Sequence, residues 1–249
     1  MRTGWQWLKS LLFSGIIYAA MVPYGLWYLP AALRSRDGAV AACRGWSRFV
    51  LRLADLMLGL RSEVRGTPPD GACLIASKHQ SFLDIIMLYA ALPRGKFIMK
   101  KELTRAPILG WFALRIGCIP VDRGRRAQAI KKMIADVNAG RADPGQLIIY
   151  PQGTRLAPGE KAPYKIGTSV LYGELGQDCV PVACNVGLFW PRRGILRRPG
   201  TAVIEFLPRI PAGMAAAPFM ALIESEIEAN SDRLMAEAGF PLVAPPREA

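Results

Sequence analysis

The chain contains one histidine, and its position identifies the best candidate for proton chemistry. His79 stands in the run Lys-His-Gln-Ser-Phe-Leu-Asp, which places Asp84 five residues further along the chain. Imidazole titrates near neutral pH without any perturbation, so His79 is the candidate general base. A single histidine leaves no room for a metal site with several histidine ligands, and the cysteines form no C-x-x-C pair. The sequence therefore predicts acid–base chemistry without a metal.

The spacing of His79 and Asp84 restricts how their side chains can meet. Within one regular helix, residues five apart differ by about 140° in azimuth and about 7.5 Å in rise. They can pair only if His79 lies in a loop and Asp84 lies in the first turns of the helix that follows. An aspartate bound to one imidazole nitrogen would fix the tautomer and leave the other nitrogen free to take a proton. The alternative is a helix-capping histidine beside an unrelated surface aspartate.

The elements that must position this pair alternate between strand and helix. Residues 72–76 are typical of a buried strand and residues 81–92 of a helix, so His79 falls between the two. Further strands are predicted at 96–99, 118–121, 146–150, 180–186 and 201–207, and further helices at 109–115, 127–138, 169–175 and 217–238. This alternation predicts an α/β fold whose central, mostly buried sheet is flanked by helices on both faces. His79 would then lie where open α/β sheets bind their ligands.

A long uncharged segment precedes the predicted sheet. Residues 10–33 carry no charge, and a bilayer span needs about 20 apolar residues. Trp5, Trp7 and Trp27 flank or close this segment, as aromatic residues do at membrane interfaces. Pro23 and Pro30 argue against a straight helix. The segment predicts contact with a membrane, and the alternative is a buried core helix.

An amphipathic helix is predicted over residues 37–60. Arg44, Arg48 and Arg52 recur every four residues, which places them on one helical face. A basic amphipathic helix beside an apolar one is typical of an anchor on anionic lipid, and the alternative is an ordinary surface helix. We therefore divide the chain into a membrane-anchoring helical pair, residues 1–66, and an α/β domain, residues 67–249.

The formal net charge of +13 predicts an anionic partner. Aromatic residues cluster in the apolar segment and do not alternate with the basic ones, which favours membrane lipid over nucleic acid. The flank that follows the apolar segment is the more basic of the two. By the positive-inside tendency, the α/β domain is expected on the cytoplasmic face of the cell (inner) membrane.

Three further motifs accompany later strands. Residues 117–123 end in Asp-Arg, residues 150–155 read Tyr-Pro-Gln-Gly-Thr-Arg, and residues 180–182 read Val-Pro-Val. Together with His79 and Asp84, and in this order, these blocks resemble those of the glycerophospholipid acyltransferases, the 1-acylglycerol-3-phosphate acyltransferase family. Members of that family also commonly begin with a hydrophobic helical pair.

The resemblance implies a role for each of these residues. His79 would deprotonate the acceptor hydroxyl, Asp84 would orient the imidazole, and the oxygen would attack the acyl thioester directly. The absence of a G-x-S-x-G motif agrees with direct attack. Binding of the substrate phosphate would involve Lys100, Arg123, Gly153, Thr154 and Arg155. One residue departs from the family pattern, because Gln152 stands where the family usually has Glu, and Gln keeps hydrogen bonding while it loses the charge.

The resemblance implies transfer of a fatty acyl chain from acyl-CoA or acyl carrier protein to the sn-2 hydroxyl of lysophosphatidic acid, without a bound cofactor. Three alternatives remain open. The acceptor could be another lysolipid, such as a lyso-ornithine lipid. The chain could be a non-catalytic lipid-binding protein with the same basic surface. It could also be a thioesterase in which His79 activates water.

Overall fold

The computed structural model describes residues 2–121, 131, 135 and 145–241, which form a seven-stranded sheet with helices on both faces. The strands are β1 (Leu60–Arg65), β2 (Cys73–Ser77), β3 (Gly95–Lys100), β4 (Ile119–Val121), β5 (Gln146–Ile149), β6 (Cys179–Cys184) and β7 (Gly200–Phe206). The helices are α1 (Arg2–Arg34), α2 (Arg36–Leu58), α3 (Leu83–Ala91), α4 (Pro107–Arg115), α5 (Gly167–Leu175) and α6 (Ala216–Glu237). Two 3₁₀ turns, Lys101–Arg105 and Val186–Leu188, follow β3 and β6.

The strand order is β1-β7-β6-β2-β5-β3-β4, and every neighbouring pair is parallel except β6 and β7. The carboxyl ends of β2, β3, β5 and β6 therefore lie along one edge of the sheet. The amino ends of β1 and β7 lie along the same edge. We call this the carboxyl edge, and the loops that leave it hold the predicted site residues.

Alternate residues of the central strands pack into two separate cores. Cys73 and Ile75 face the core under α2 and α3, whereas Leu74 and Ala76 face the core under α5 and α6. Strands buried on both faces read as continuous apolar runs, which is why β2 was predictable from its sequence. The predicted α/β class, with helices on both faces of a central sheet, is confirmed.

The helix α1 is continuous and runs through both Pro23 and Pro30, although these prolines argued against a straight span. Buried Phe13, Ile17 and Ala32 join the core that α2 and α3 share with one face of the sheet. The rest of α1 is largely exposed and apolar. Among the described residues, Gly4–Arg34 is the one helix long and apolar enough to cross a membrane, judged by length and composition alone.

The strand β1 was not predicted. It runs beside β7 in parallel register, with Leu60 opposite Gly200 and Arg65 opposite Glu205. Four of its six residues are exposed and polar or charged residues dominate, so its sequence lacks the apolar signal of a buried strand. Residues 60–65 therefore belong to the sheet although they precede position 66. The other predicted strands, and the helices within the described residues, are confirmed to within a few residues, and the predicted helix 127–138 lies largely outside those residues.

Candidate active site

The loop between β2 and α3 brings His79 and Asp84 together. His79 lies two residues beyond β2, and Asp84 is the second residue of α3. His79 Nδ1 lies 2.9 Å from Asp84 Oδ1, so the loop-to-helix geometry required by their spacing is present. The backbone N–H of Leu156 donates to the His79 carbonyl oxygen at 2.9 Å, which ties this loop to the loop after β5.

Asp84 is fully buried and accepts hydrogen bonds on both carboxylate oxygens. Oδ2 accepts the backbone N–H groups of Gln80 at 3.0 Å and Ser81 at 2.8 Å, which folds the loop around the first turn of α3. Oδ1 accepts from His79, and a carboxylate can only accept, so His79 carries its proton on Nδ1. His79 Nε2 makes no hydrogen bond to a described residue, and the side chain keeps 13% exposure. The free nitrogen is therefore available as a base.

Tyr150, the first residue after β5, completes this arrangement. Its ring stacks on the imidazole of His79 with 3.8 Å between centroids and 16° between planes. Its hydroxyl donates to Asp84 Oδ1 at 3.0 Å. Burial and the Asp84 carboxylate raise the pKa of Tyr150, and the nearby Arg155 guanidinium only partly opposes this shift. The phenol therefore stays protonated and acts as a donor.

Positive charge gathers in the loop that follows Tyr150. Gly153 has φ +70°, and a Cβ at this position would lie 2.8 Å from Lys165 Nζ, so a glycine allows the lysine to cross the loop closely. Arg155 is partly buried, and its carbonyl oxygen accepts from Arg192 Nη1 at 2.9 Å. Lys165, Arg155 and Arg192 form no ion pair with the residues described. This part of the carboxyl edge can therefore bind an anion.

Three other residues were predicted to bind the substrate phosphate. Thr154 is partly exposed beside Arg155. Lys100 is exposed at the carboxyl end of β3, which is separated from β2 by β5. Arg123 lies outside the described residues, so its predicted role stays a prediction.

The predicted membrane-contact residues fall into two groups. Trp5, Trp7 and Trp27 are exposed on α1, and Trp27 is 82% exposed. Arg48 and Arg52 are exposed on α2. Arg44 differs, because its Nε is enclosed and has no hydrogen-bond partner in the described part of the chain, and burial lowers its pKa.

Buried thiols are further candidate nucleophiles, of which Cys184 lies at the carboxyl edge. Cys184, at the carboxyl end of β6, is fully buried, and burial together with the Asp84 charge raises its pKa. Burial also raises the pKa of Cys73 and of Cys118, each to about 11. Because the thiolate is the reactive form, these side chains are poor nucleophiles.

Sequence reasoning missed three groups at this site: the Tyr150 hydroxyl, the Lys165 ammonium and Arg192. The block at residues 150–155 contains Tyr150, but no local pattern assigns a ring or a hydroxyl to a partner elsewhere in the fold. Lys165 and Arg192 lie on later segments of the chain, and their proximity follows from the order of the strands.

Comparisons with known proteins identify the family of this chain. The sequence model of the acyltransferase family matches residues 61–185, which is half of the chain. The chain is 27% identical to the 1-acyl-sn-glycerol-3-phosphate acyltransferase of Pseudomonas aeruginosa over 236 residues, 93% of this chain and 92% of that one. It is 29% identical to human 1-acyl-sn-glycerol-3-phosphate acyltransferase alpha over 210 residues, 80% of this chain and 74% of the relative.

A solved structure shows the same fold. The crystal structure of the 1-acyl-sn-glycerophosphate (LPA) acyltransferase from Thermotoga maritima superposes with a TM-score of 0.79. The match covers 95% of this chain and 100% of that one, at 19% sequence identity, which establishes likeness of fold. Given the family match across the sheet and the His79 loop, this chain belongs to the acyltransferase family and is an enzyme of that family.

Proposed function

We propose that this acyltransferase moves a fatty acyl chain from an acyl thioester to the sn-2 hydroxyl of lysophosphatidic acid, which yields phosphatidic acid. The observation that carries the proposal is the His79–Asp84 pair at the carboxyl edge, one strand away from the cationic loop of Arg155. A base beside an anion site suits an acceptor that carries both a hydroxyl and a phosphate. The full-length relatives named for this acceptor support the same choice.

The reaction follows from the orientation of the imidazole. His79 Nε2 takes the proton of the acceptor hydroxyl, and the oxygen attacks the carbonyl carbon of the thioester. Asp84 stabilises the imidazolium that forms. As the tetrahedral intermediate collapses, the C–S bond breaks and the thiolate leaves with the proton from Nε2. Ester and free thiol are the products, and His79 returns to its neutral form without an acyl-enzyme.

Phosphate binding is assigned to the loop after β5 and its neighbours. The guanidinium of Arg155 offers a planar pair of donors, which suits bidentate contact with a phosphate. Gly153 and Thr154 lie beside it, and Lys165 adds a second cation over Gly153. Lys100, at the carboxyl end of β3, remains a proposed ligand. Arg123, outside the described residues, remains one on the family resemblance alone.

The same proposal places the enzyme at a membrane. The exposed apolar face of α1, with Trp5, Trp7 and Trp27, supports contact with lipid, and Arg48 and Arg52 supply positive charge for anionic headgroups. We propose the cell (inner) membrane, with the sheet on the cytoplasmic face, because the basic residues concentrate after α1. Acyl-CoA and acyl carrier protein are both anionic, and both remain candidate donors.

The proposal is tested by product formation with purified protein in detergent. Labelled acyl-CoA or acyl carrier protein is offered with lysophosphatidic acid, with lyso-ornithine lipid or without an acceptor. We expect phosphatidic acid only when lysophosphatidic acid is present. Product with the ornithine lipid alone would change the acceptor, free fatty acid without an acceptor would indicate a thioesterase, and vesicle binding without turnover would indicate a lipid-binding protein.

The role of Arg155 is tested by Arg155→Met. Loss of a charge-assisted contact of about 1.5–3 kcal/mol should raise KM for lysophosphatidic acid roughly 10- to 100-fold. KM for the acyl donor should change little. The control is Arg209→Met, which removes the same charge at the opposite edge of the sheet, where Arg209 pairs with Asp178. An equal rise in KM for both variants would contradict a specific phosphate contact.

A further inference from the structure

A buried ammonium stands directly before the candidate base. Lys78 is 2% exposed, and a buried charge is costly unless it is paired. Its Nζ donates to both carboxylate oxygens of Glu228, at 2.7 Å and 2.6 Å. Glu228 lies on α6, 150 residues further along the chain. The loop that carries His79 is thus fastened to the last helix by an ion pair.

Two further segments donate to the same carboxylate. Gln152 Nε2 lies 3.0 Å from Glu228 Oε1, and Tyr164 Oη lies 2.9 Å from it. Burial and the Glu228 charge raise the pKa of Tyr164, so its hydroxyl is a donor. Glu228 therefore joins the His79 loop, the loop of Arg155 and the segment before α5, all at one carboxylate.

This cluster explains the amide at position 152. A glutamate in place of Gln152 would set two carboxylates about 3 Å apart, and like charges at that distance cannot both ionise easily. Lys78, the one ammonium hydrogen-bonded to Glu228 among the described residues, would then have to balance two carboxylates. The amide of Gln152 instead donates a hydrogen bond, so the cluster has one anion, one cation and two neutral donors.

We propose that Glu228 is a positioning residue of this active site, and that it supplies from α6 the carboxylate which the family usually carries at the position of Gln152. The inference rests on the proposed function, because positioning is measured through turnover. Glu228 acts through Lys78 on the His79 loop and through Gln152 on the Arg155 loop. The loss of charge in the 150–155 block is therefore compensated by a distant helix.

The test is a charge exchange between the two positions. We compare wild type, Glu228→Gln, Gln152→Glu and the double variant Q152E/E228Q for kcat, KM and unfolding temperature. Residues that share a buried cluster couple strongly, so each single variant should lower kcat roughly tenfold or more, and the double variant should return to within about threefold of wild type. Glu224→Gln is the matched control, since Glu224 is exposed one turn earlier on α6 and should behave as wild type.

Each outcome decides the proposal. If the fall in kcat of the double variant equals the product of the falls in the two single variants, the two positions act independently and the exchange is overturned. If positions 152 and 228 are coupled in unfolding temperature but not in kcat, Glu228 serves only the stability of the fold, and the positioning role is overturned. If E228Q fails to fold, recovery of folded, active protein in the double variant supports the exchange, and its failure overturns it. A wild type that is inactive on lysophosphatidic acid counts against the proposed function instead, and the coupling in kcat is then measured with the lysolipid that is acylated. A wild type that acylates neither lysolipid overturns the positioning role as well.

Discussion

Replacement of His79 by alanine should remove nearly all turnover and leave the protein folded. General acid–base catalysis contributes roughly 10²- to 10⁴-fold, and His79 is the only imidazole in the chain. The fold should tolerate the change, because Asp84 keeps three other donors, the N–H groups of Gln80 and Ser81 and the hydroxyl of Tyr150. The measurement is kcat with lysophosphatidic acid beside the thermal unfolding curve of each protein.

Three results distinguish a general-base role of His79 from other roles. Loss of turnover with unchanged unfolding and unchanged vesicle binding supports the role of general base. Turnover within a few-fold of wild type would refute that role and favour another group at the carboxyl edge. Partial recovery by added imidazole would strengthen the assignment, since the space left beside the Tyr150 ring can admit a small base.

Asp84→Asn should have the second largest effect, because the amide reverses the tautomer of His79. The backbone N–H groups of Gln80 and Ser81 can only donate, so the amide oxygen must take the place of Oδ2. The amide NH₂ then faces His79 Nδ1, which has to accept. The proton moves to Nε2, where the base is needed, and kcat should fall by up to about 10⁴-fold, as in the equivalent change of a serine-protease triad. KM for lysophosphatidic acid should change little.

Tyr150→Phe provides the graded comparison. The ring still stacks on His79, and only the donor to Asp84 Oδ1 is lost. A hydrogen bond to a charged group contributes about 1.5–3 kcal/mol, so kcat should fall by no more than roughly 10- to 100-fold. This is less than for Asp84→Asn, because Asp84 keeps its bond to His79 and the tautomer is unchanged. If the two variants were equally slow, the tautomer argument would fail and the loss would reflect general disturbance of the site.

The sequence alone specified the parts of this protein that depend on near neighbours. Mostly apolar runs of four to seven residues predicted the buried strands, because both faces of those strands are covered. The five-residue spacing of His79 and Asp84 allowed one geometry, a loop histidine and a first-turn aspartate, and that geometry is observed. By contrast, the exposed edge strand β1 carried no such pattern and was missed.

Only the tertiary structure decided which distant groups complete the site. Tyr150 reaches Asp84 across 66 residues because β5 pairs with β2, and Glu228 reaches Lys78 across 150 residues because α6 packs over the same sheet. From the sequence, Gln152 indicated only the loss of a charge that the family usually has. In the fold, the carboxylate of Glu228 on α6 lies 3.0 Å from the Gln152 amide. Periodicity reports the burial of a single element, but charge compensation depends on which elements become neighbours, and that is set by the order of strands in the sheet.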